Sequence, residues 1–240
     1  MEQLERFPTD WTRALAIAAH PDDLEYGSAG AIAGWTQAGK DVRYLLVTRG
    51  EAGIDGIPPQ ECAPLREAEQ IAGAAEVGVS VVEFLDHPDG VIEYGLALRR
   101  DIAAAIRRHQ PELIITGNYH DFWPGGGMNS PDHRHVGRAT LDAVGDAGNR
   151  WIFPELGAQS APWPGVKYIA VAGSPQATHG VDITDTLDRA VASLEAHRAY
   201  LDGLGEHPMA SAREFLEFLA DLAAPAFGDR RAATFELIRT

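Results

Sequence analysis

The sequence predicts an α/β fold, a mostly parallel sheet with helices on both faces, and three observations carry that expectation. Apolar runs of strand length alternate with stretches of helical period through the first half of the chain. Glycine, proline and polar residues punctuate the joins between them. The 240 residues, 45% of them hydrophobic, are enough for a substantial core without requiring a second domain.

Residues 13–19 (RALAIAA) read as a buried strand. A helix is expected over 28–38, with Ser28 as N-cap and Gly39 just past its end. The run 41–48 (DVRYLLVT) is a second strand, 64–76 a helix and 79–85 a third strand. Residues 94–109 have strong helical period, closed by Pro111, and 113–116 form a fourth strand. The stretch 117–131 has neither period; it holds Tyr119, His120, Trp123, three consecutive glycines and two prolines. An irregular segment of that length in a compact fold reads as a functional loop. Beyond it, helices are expected over 132–147, 183–204 and 213–222, a fifth strand over 167–172 and a last one over 234–238. No repeat or linker divides the chain, so one Rossmann-like domain spanning 1–240 is expected.

Twenty basic against 35 acidic residues give a formal net charge of −15. Such a balance lacks the basic footprint that a phosphate backbone requires, which excludes nucleic acid as the expected partner. A single cysteine, Cys62, forbids an intramolecular disulfide and a cysteine-rich metal site, so any metal must rest on histidine and carboxylate. The first residues lack the basic start and apolar run of a signal peptide, and no stretch approaches the ~20 apolar residues of a membrane span. A soluble cytoplasmic protein acting on a small molecule is the expectation, with self-association left open.

In parallel sheets, ligands gather beyond the carboxyl ends of the strands. His20, Pro21, Asp22, Asp23 and Glu25 fall there, directly after the first strand. Their mutual repulsion is costly unless a cation or a helix N-terminus offsets it. Imidazole plus carboxylate, with one position left to water, suits zinc. A solvated acidic turn with a surface histidine is the competing reading. Gly27, Gly30 and Gly34 follow, but acidic residues occupy the turn where a dinucleotide fingerprint needs glycine, so these glycines are expected to permit close helix–sheet packing. A second cluster lies at Ser130-Pro131-Asp132-His133-Arg134-His135. On a helix, His133 and His135 point ~200° apart and cannot share an ion. His133, nearer the helix start and the long loop, is the candidate ligand, although a histidine at a helix start also serves as a capping or surface residue.

The run Ala19-His20-Pro21-Asp22-Asp23-Leu24-Glu25, with Pro131-Asp132-His133-Arg134 much later, resembles the PIG-L/LmbE family of zinc-dependent N-deacetylases. The likeness continues through 48–53 (TRGEAG), Arg66 with Glu69, Asp89-Gly90, 182–186 (DITDT) and the helix containing His197. The resemblance implies that His20, Asp23 and His133 hold zinc, with Fe2+ as the alternative metal. It makes Asp22 the general base: a water on the metal attacks the amide carbonyl, Asp22 takes its proton and returns it to the departing amine. It implies an N-acylated, amino-sugar-like substrate whose hydroxyls meet Arg66 and Asp89. Arg66 could instead pair with nearby acids, and Asp89 could set a turn. Glu51 is a candidate supporting residue and His197 an active-site neighbour or a packed histidine; the Ser-Gln usual after that histidine is replaced by Arg198-Ala199.

The main departure is Ser130, where many members of the family carry a histidine that stabilises the oxyanion. Serine offers a hydrogen bond but no charge, and losing one oxyanion donor costs on the order of 10²–10³ in turnover. His120 or Tyr119 is expected to substitute, with Asp132 bonding Ser130 or capping the helix. Two other readings stand beside the deacetylase: a zinc hydrolase of another amide or ester, and a metal-binding protein without hydrolase activity.

Overall fold

The computed structural model describes residues 3–158 and 160–240. Among them, eight strands form one sheet in the order β1-β7-β8-β6-β5-β2-β3-β4. Strands β2 (Arg13–Ala18), β3 (Asp41–Leu46), β4 (Val82–Phe84), β5 (Leu113–Thr116) and β6 (Tyr168–Ala172) are mutually parallel. Strand β8 (Ala232–Arg239) runs antiparallel between β6 and β7 (His179–Asp182), and β1 (Glu5–Arg6) closes that edge beside β7. The expected mostly parallel α/β architecture is present.

Alternation along β2 explains the layering, because successive side chains of a strand face opposite sides. Ala14, Ala16 and Ala18 meet one core with Ile32, Ala74, Leu194 and Leu216. Those residues come from α2 (Ala29–Gln37), α3 (Pro59–Glu76), α6 (Leu187–Glu195) and α8 (Ala212–Ala223). Leu15 and Ile17 meet the other core, with Ile102 and Ile106 of α4 (Leu96–His109) and Ala139 and Ala143 of α5 (Pro131–Gly148). Close packing does require two of the early glycines. A Cβ on Gly30 would lie 3.0 Å from Ile183, and one on Gly27 3.2 Å from Ala172.

Three expectations need correction. The first helix begins earlier, as the short α1 (Asp23–Gly27), and Ser28 sits at its junction with α2 without a capping side-chain bond. The helix expected over 183–204 is two, α6 and α7 (Arg198–Gly203), broken at Ala196 and His197. The strands β1 and β7 escaped the sequence because their residues, Glu-Arg and His-Gly-Val-Asp, carry no apolar run; the sheet edge and β8 supply their pairing.

Strand β2 lies between β3 and β5, so the chain reverses its direction of travel across the sheet there. Connections leave β2 and β5 toward opposite faces, opening a crevice at their carboxyl ends. Residues 19–22 emerge from β2 and residues 117–130 from β5, so both candidate clusters reach this crevice.

Candidate metal centre and active site

The turn after β2 is built around Asp22, which adopts a left-handed backbone (φ 91°) at the start of α1. A non-glycine residue there is strained and persists only where its surroundings over-determine it. They do so here. The Asp22 N–H donates to Gln70 Oε1 (3.0 Å), and Gln70 Nε2 donates to Glu25 Oε1 (2.9 Å), which fixes the amide's orientation. Arg66 donates to the carbonyls of Pro21 and Gly50 and places Nη2 3.2 Å from Asp22 Oδ2. Its guanidinium lies 4.5 Å from the Tyr200 ring centroid.

This turn sends neighbouring carboxylates in different directions. Asp23 faces two imidazoles: its Oδ1 is 3.0 Å from His133 Nε2, and its Oδ2 is 3.5 Å from His20 Nδ1. His20, Asp23 and His133 can each offer one ligand atom within 4.8 Å of the others. Asp22 is buried elsewhere, against Arg66. Burial pushes the Asp22 carboxyl up, and Arg66 only partly opposes it, leaving it at about 6. The contact with Arg66 is a charge pairing, and Asp22 Oδ2 lacks an aligned hydrogen bond.

Neighbouring groups select which lone pairs face the centre. His20 Nε2 lies 3.0 Å from Asp89 Oδ1 and 3.1 Å from Asp132 Oδ2. Two acceptors there require Nε2–H, which leaves Nδ1 as the ligand nitrogen of a neutral ring. For His133 the selector is Asn129. Its Nδ2 donates to the carbonyls of Asn118 (2.7 Å) and His120 (3.0 Å), so its Oδ1 must accept, from Ser130 N–H (2.9 Å) and from His133 Nδ1 (3.0 Å). His133 then presents Nε2 toward Asp23.

The site is electrostatically poised for a cation. Burial lowers the pKa of His20, but Asp23, Asp132 and Asp89 outweigh it and hold the ring well above its ordinary range. His133 is likewise raised, with burial opposed chiefly by Asp23. Asp23 is held well below the carboxylate range, its burial outweighed by the two imidazoles. Two imidazoles and a carboxylate that together seek positive charge fit a divalent metal such as zinc, with a coordination position to spare. A second group, His20 with Asp89 and Asp132, also meets the distance test. Asp132, however, is already committed: Oδ2 accepts from Gly90 N–H (2.8 Å) and Oδ1 from Ile92 N–H (3.1 Å).

The remaining expected site residues are placed as follows. Asp132 neither bonds Ser130 nor caps the helix; it supports His20. Asp89 also lies against His20 and accepts from Ala52 N–H (2.8 Å). Arg66 is 2% exposed and braces the Asp22 turn through Nη1 and Nη2, while its buried Nε has no partner. Ser130 is the N-cap of α5, its Oγ accepting from His133 N–H (3.1 Å). His120 Nε2 is 2.8 Å from Glu236 of β8, which also accepts from Tyr119 (3.2 Å) and Ser174 (2.6 Å), so His120 is tied to the C-terminal strand. Glu51 accepts from Asp89 N–H (2.8 Å). His197 is fully buried, its Nε2 3.7 Å from Glu25 Oε2, and His135 turns away to the carbonyl of Ile92 (2.6 Å).

Asn129 and Gln70 are the supporting residues that the sequence reading missed. Gln70 had a signal: Arg66, Glu69 and Gln70 make a buried polar stripe at helical spacing on α3. Asn129 had only its place before Ser130-Pro131, a pattern common to helix starts.

A family model described as GlcNAc-PI de-N-acetylase (PIG-L) matches residues 15–144. A diacetylchitobiose deacetylase of Thermococcus kodakarensis is 32% identical over 198 residues, covering 79% of this chain and 70% of that protein. A 1D-myo-inositol 2-acetamido-2-deoxy-alpha-D-glucopyranoside deacetylase of Kineococcus radiotolerans is 31% identical over 165 residues, with 55% of this chain and 44% of that protein covered. The solved N,N'-diacetylchitobiose deacetylase of Pyrococcus horikoshii shares the fold, with a TM-score of 0.86 at 24% identity, covering 96% of this chain and 85% of that one. The matched span holds both halves of the cluster, and on these grounds the chain belongs to the PIG-L family.

Proposed function

We propose that residues 1–240 act as one domain, a zinc-dependent hydrolase that removes an N-acetyl group from an amino-sugar-like small molecule, releasing acetate and the free amine. The observation that carries the reading is the division of adjacent carboxylates: Asp23 faces His20 and His133, while Asp22 is turned away and raised to about 6. In this reading His20 Nδ1, Asp23 and His133 Nε2 hold the metal, with Fe2+ as an alternative. A divalent cation there supplies Lewis acidity, polarising the amide carbonyl and acidifying water.

Asp22 performs the proton work. Ionised for the most part at neutral pH, it accepts a proton from the attacking water. Its raised pKa then lets it surrender that proton to the leaving amine. Arg66 and Gln70 hold Asp22 in place, while Asp89 and Asp132 keep the proton of His20 on Nε2. The relatives' names support an N-acetylated amino sugar as the substrate class.

A second reading, a metal-binding protein without turnover, is favoured by Ser130 serving as a helix cap and His120 being tied to Glu236. Metal analysis combined with an acetate-release screen across N-acetylated amino sugars separates the two. Stoichiometric metal with acetate release is the expected result. Metal without release from any acetamide selects the second reading, and no bound metal overturns both.

A further inference from the structure

The loop leaving β5 folds back on itself as a hairpin. Trp123-Pro124-Gly125-Gly126 is a tight turn, with Gly126 N–H donating to Trp123 O (2.9 Å) and Gly125 at φ 93° in the position where a type II turn requires glycine. Trp123 N–H donates to Gly127 O (2.7 Å), Phe122 bridges to Met128, and Asn118 Nδ2 holds Phe122 O (2.9 Å).

This frame fixes one side chain beside the proposed metal centre. The Trp123 ring meets His133 edge-on, centroids 5.7 Å apart at 81°. It also lies over Gly173, which has φ 66° and where a Cβ would come 2.7 Å from indole Cζ3. Gly173 thus makes a cradle that only glycine can make. The indole nevertheless remains only half-buried. Phe122 and Met128 of the same hairpin are 52% and 75% exposed.

Resting on the deacetylase reading above, we propose that Trp123 is the sugar-stacking wall of the site and determines its specificity for cyclic substrates. A pyranose has an apolar face of C–H groups and a polar rim of hydroxyls. A rigid aromatic plane receives that face with little conformational entropy to lose. Stacked on Trp123, the ring would direct its 2-acetamido group toward His133 and its partners. An acyclic acetamide has no such face and gains nothing from the indole. The cradle accounts for the rigidity: a site held by packing beneath it keeps its geometry when the ligand arrives.

The test compares the wild type with Trp123→Ala, Trp123→Phe and Gly173→Ala, using N,N'-diacetylchitobiose, the acyclic N-acetylethanolamine, and chitobiose as a probe that cannot be deacetylated further. Trp123→Ala is expected to raise KM for diacetylchitobiose, and the calorimetric Kd for chitobiose, by on the order of 10-fold. Its selectivity for diacetylchitobiose over N-acetylethanolamine should fall by a similar factor, with metal content unchanged. Trp123→Phe should lie between, and Gly173→Ala should reproduce part of the loss by displacing the indole. Unchanged KM and Kd in Trp123→Ala would overturn the proposal. So would loss of metal with equal decline on cyclic and acyclic acetamides, which would make Trp123 a support for His133. If the wild type cleaves no acetamide, the deacetylase reading fails while calorimetry still decides the wall: weaker chitobiose binding in Trp123→Ala upholds it, and equal or absent binding in both proteins rejects it.

Discussion

At the residue scale, the site works by giving adjacent groups different neighbours. Asp22 and Asp23 share a turn, yet one sits near 6 beside Arg66 and the other far below the carboxylate range between two imidazoles. Replacing Asp22 with Asn keeps the shape and removes the base. Turnover should drop by on the order of 10²–10⁴ with metal stoichiometry intact. Loss of metal instead would show that the roles of Asp22 and Asp23 are exchanged. Asn129 tests the other half of the centre. It accepts from His133 Nδ1 and so presents Nε2. Asn129→Leu should weaken metal binding by on the order of 10–100-fold in a chelator competition; unchanged affinity would remove Asn129 from the centre. Residue type and position marked the acidic turn at 20–25 and His133 as candidates, while the choice of Asp23 over Asp22 as a ligand came from the family resemblance. Asp89, Asp132 and Arg66 were candidates there too, but the contacts they make were not legible, because their partners His20, Gly90 and Asp22 lie 40 or more residues away.

At the element scale, α5 carries His133 at its start and must be secured at its end, where the last carbonyls lack helical partners. Arg107 of α4, 1% exposed, adds donors to this terminus and to the turn beyond it. Its guanidinium donates to the carbonyls of Asp146, Ala147, Asn149 and Ile152 at 2.9–3.1 Å. A cation at this helix terminus also offsets its negative dipole end. Arg107→Met should destabilise the protein by about 3 kcal/mol, lowering Tm by roughly 6–12 °C; a shift near zero in calorimetry would refute the clamp. A second tie joins the starts of three strands. Glu112, just before β5, accepts from Thr12 N–H (2.7 Å) and Oγ1 (2.6 Å) before β2 and pairs with Lys167 (3.0 Å) before β6. The Thr12 hydrogen bonds, with Lys167, pull its carboxyl down from 4.5 to about 2. A carboxyl depressed by folding stabilises the protein above its unfolded pKa and loses that contribution as pH falls from 4.5 toward 2. Screening at this partly exposed position leaves about 1 kcal/mol. Glu112→Gln should therefore flatten the stability–pH curve between those two values, and an unchanged acid limb in denaturant titrations would count against the tie.

At the scale of the whole molecule, the fold was legible where burial imposes a period and obscure where pairing alone makes the structure. The central strands β2, β3, β5 and β6 announce themselves as apolar runs, whereas β1 and β7 are defined by their neighbours at the sheet edge. The break between α6 and α7 was hidden because the helical pattern continues on both sides of it; His197 there is buried against Glu25. The same topology makes the proposed metal a structural link. Its candidate ligands come from the turn after β2 and from α5, which follows β5, so the ion would join the two sides of the crevice where the strand order reverses. A ligand bound only by the folded state stabilises it by RT ln(1 + [L]/Kd), about 4 kcal/mol at 1,000 times Kd. For a chain of this size that corresponds to roughly 8–16 °C in Tm. Chelation should lower Tm by that order, restored zinc should recover it, and His133→Ala should abolish the response to both. An apparent Tm in the wild type that ignores chelator and zinc alike would reject a metal bridge across the sheet's switch point.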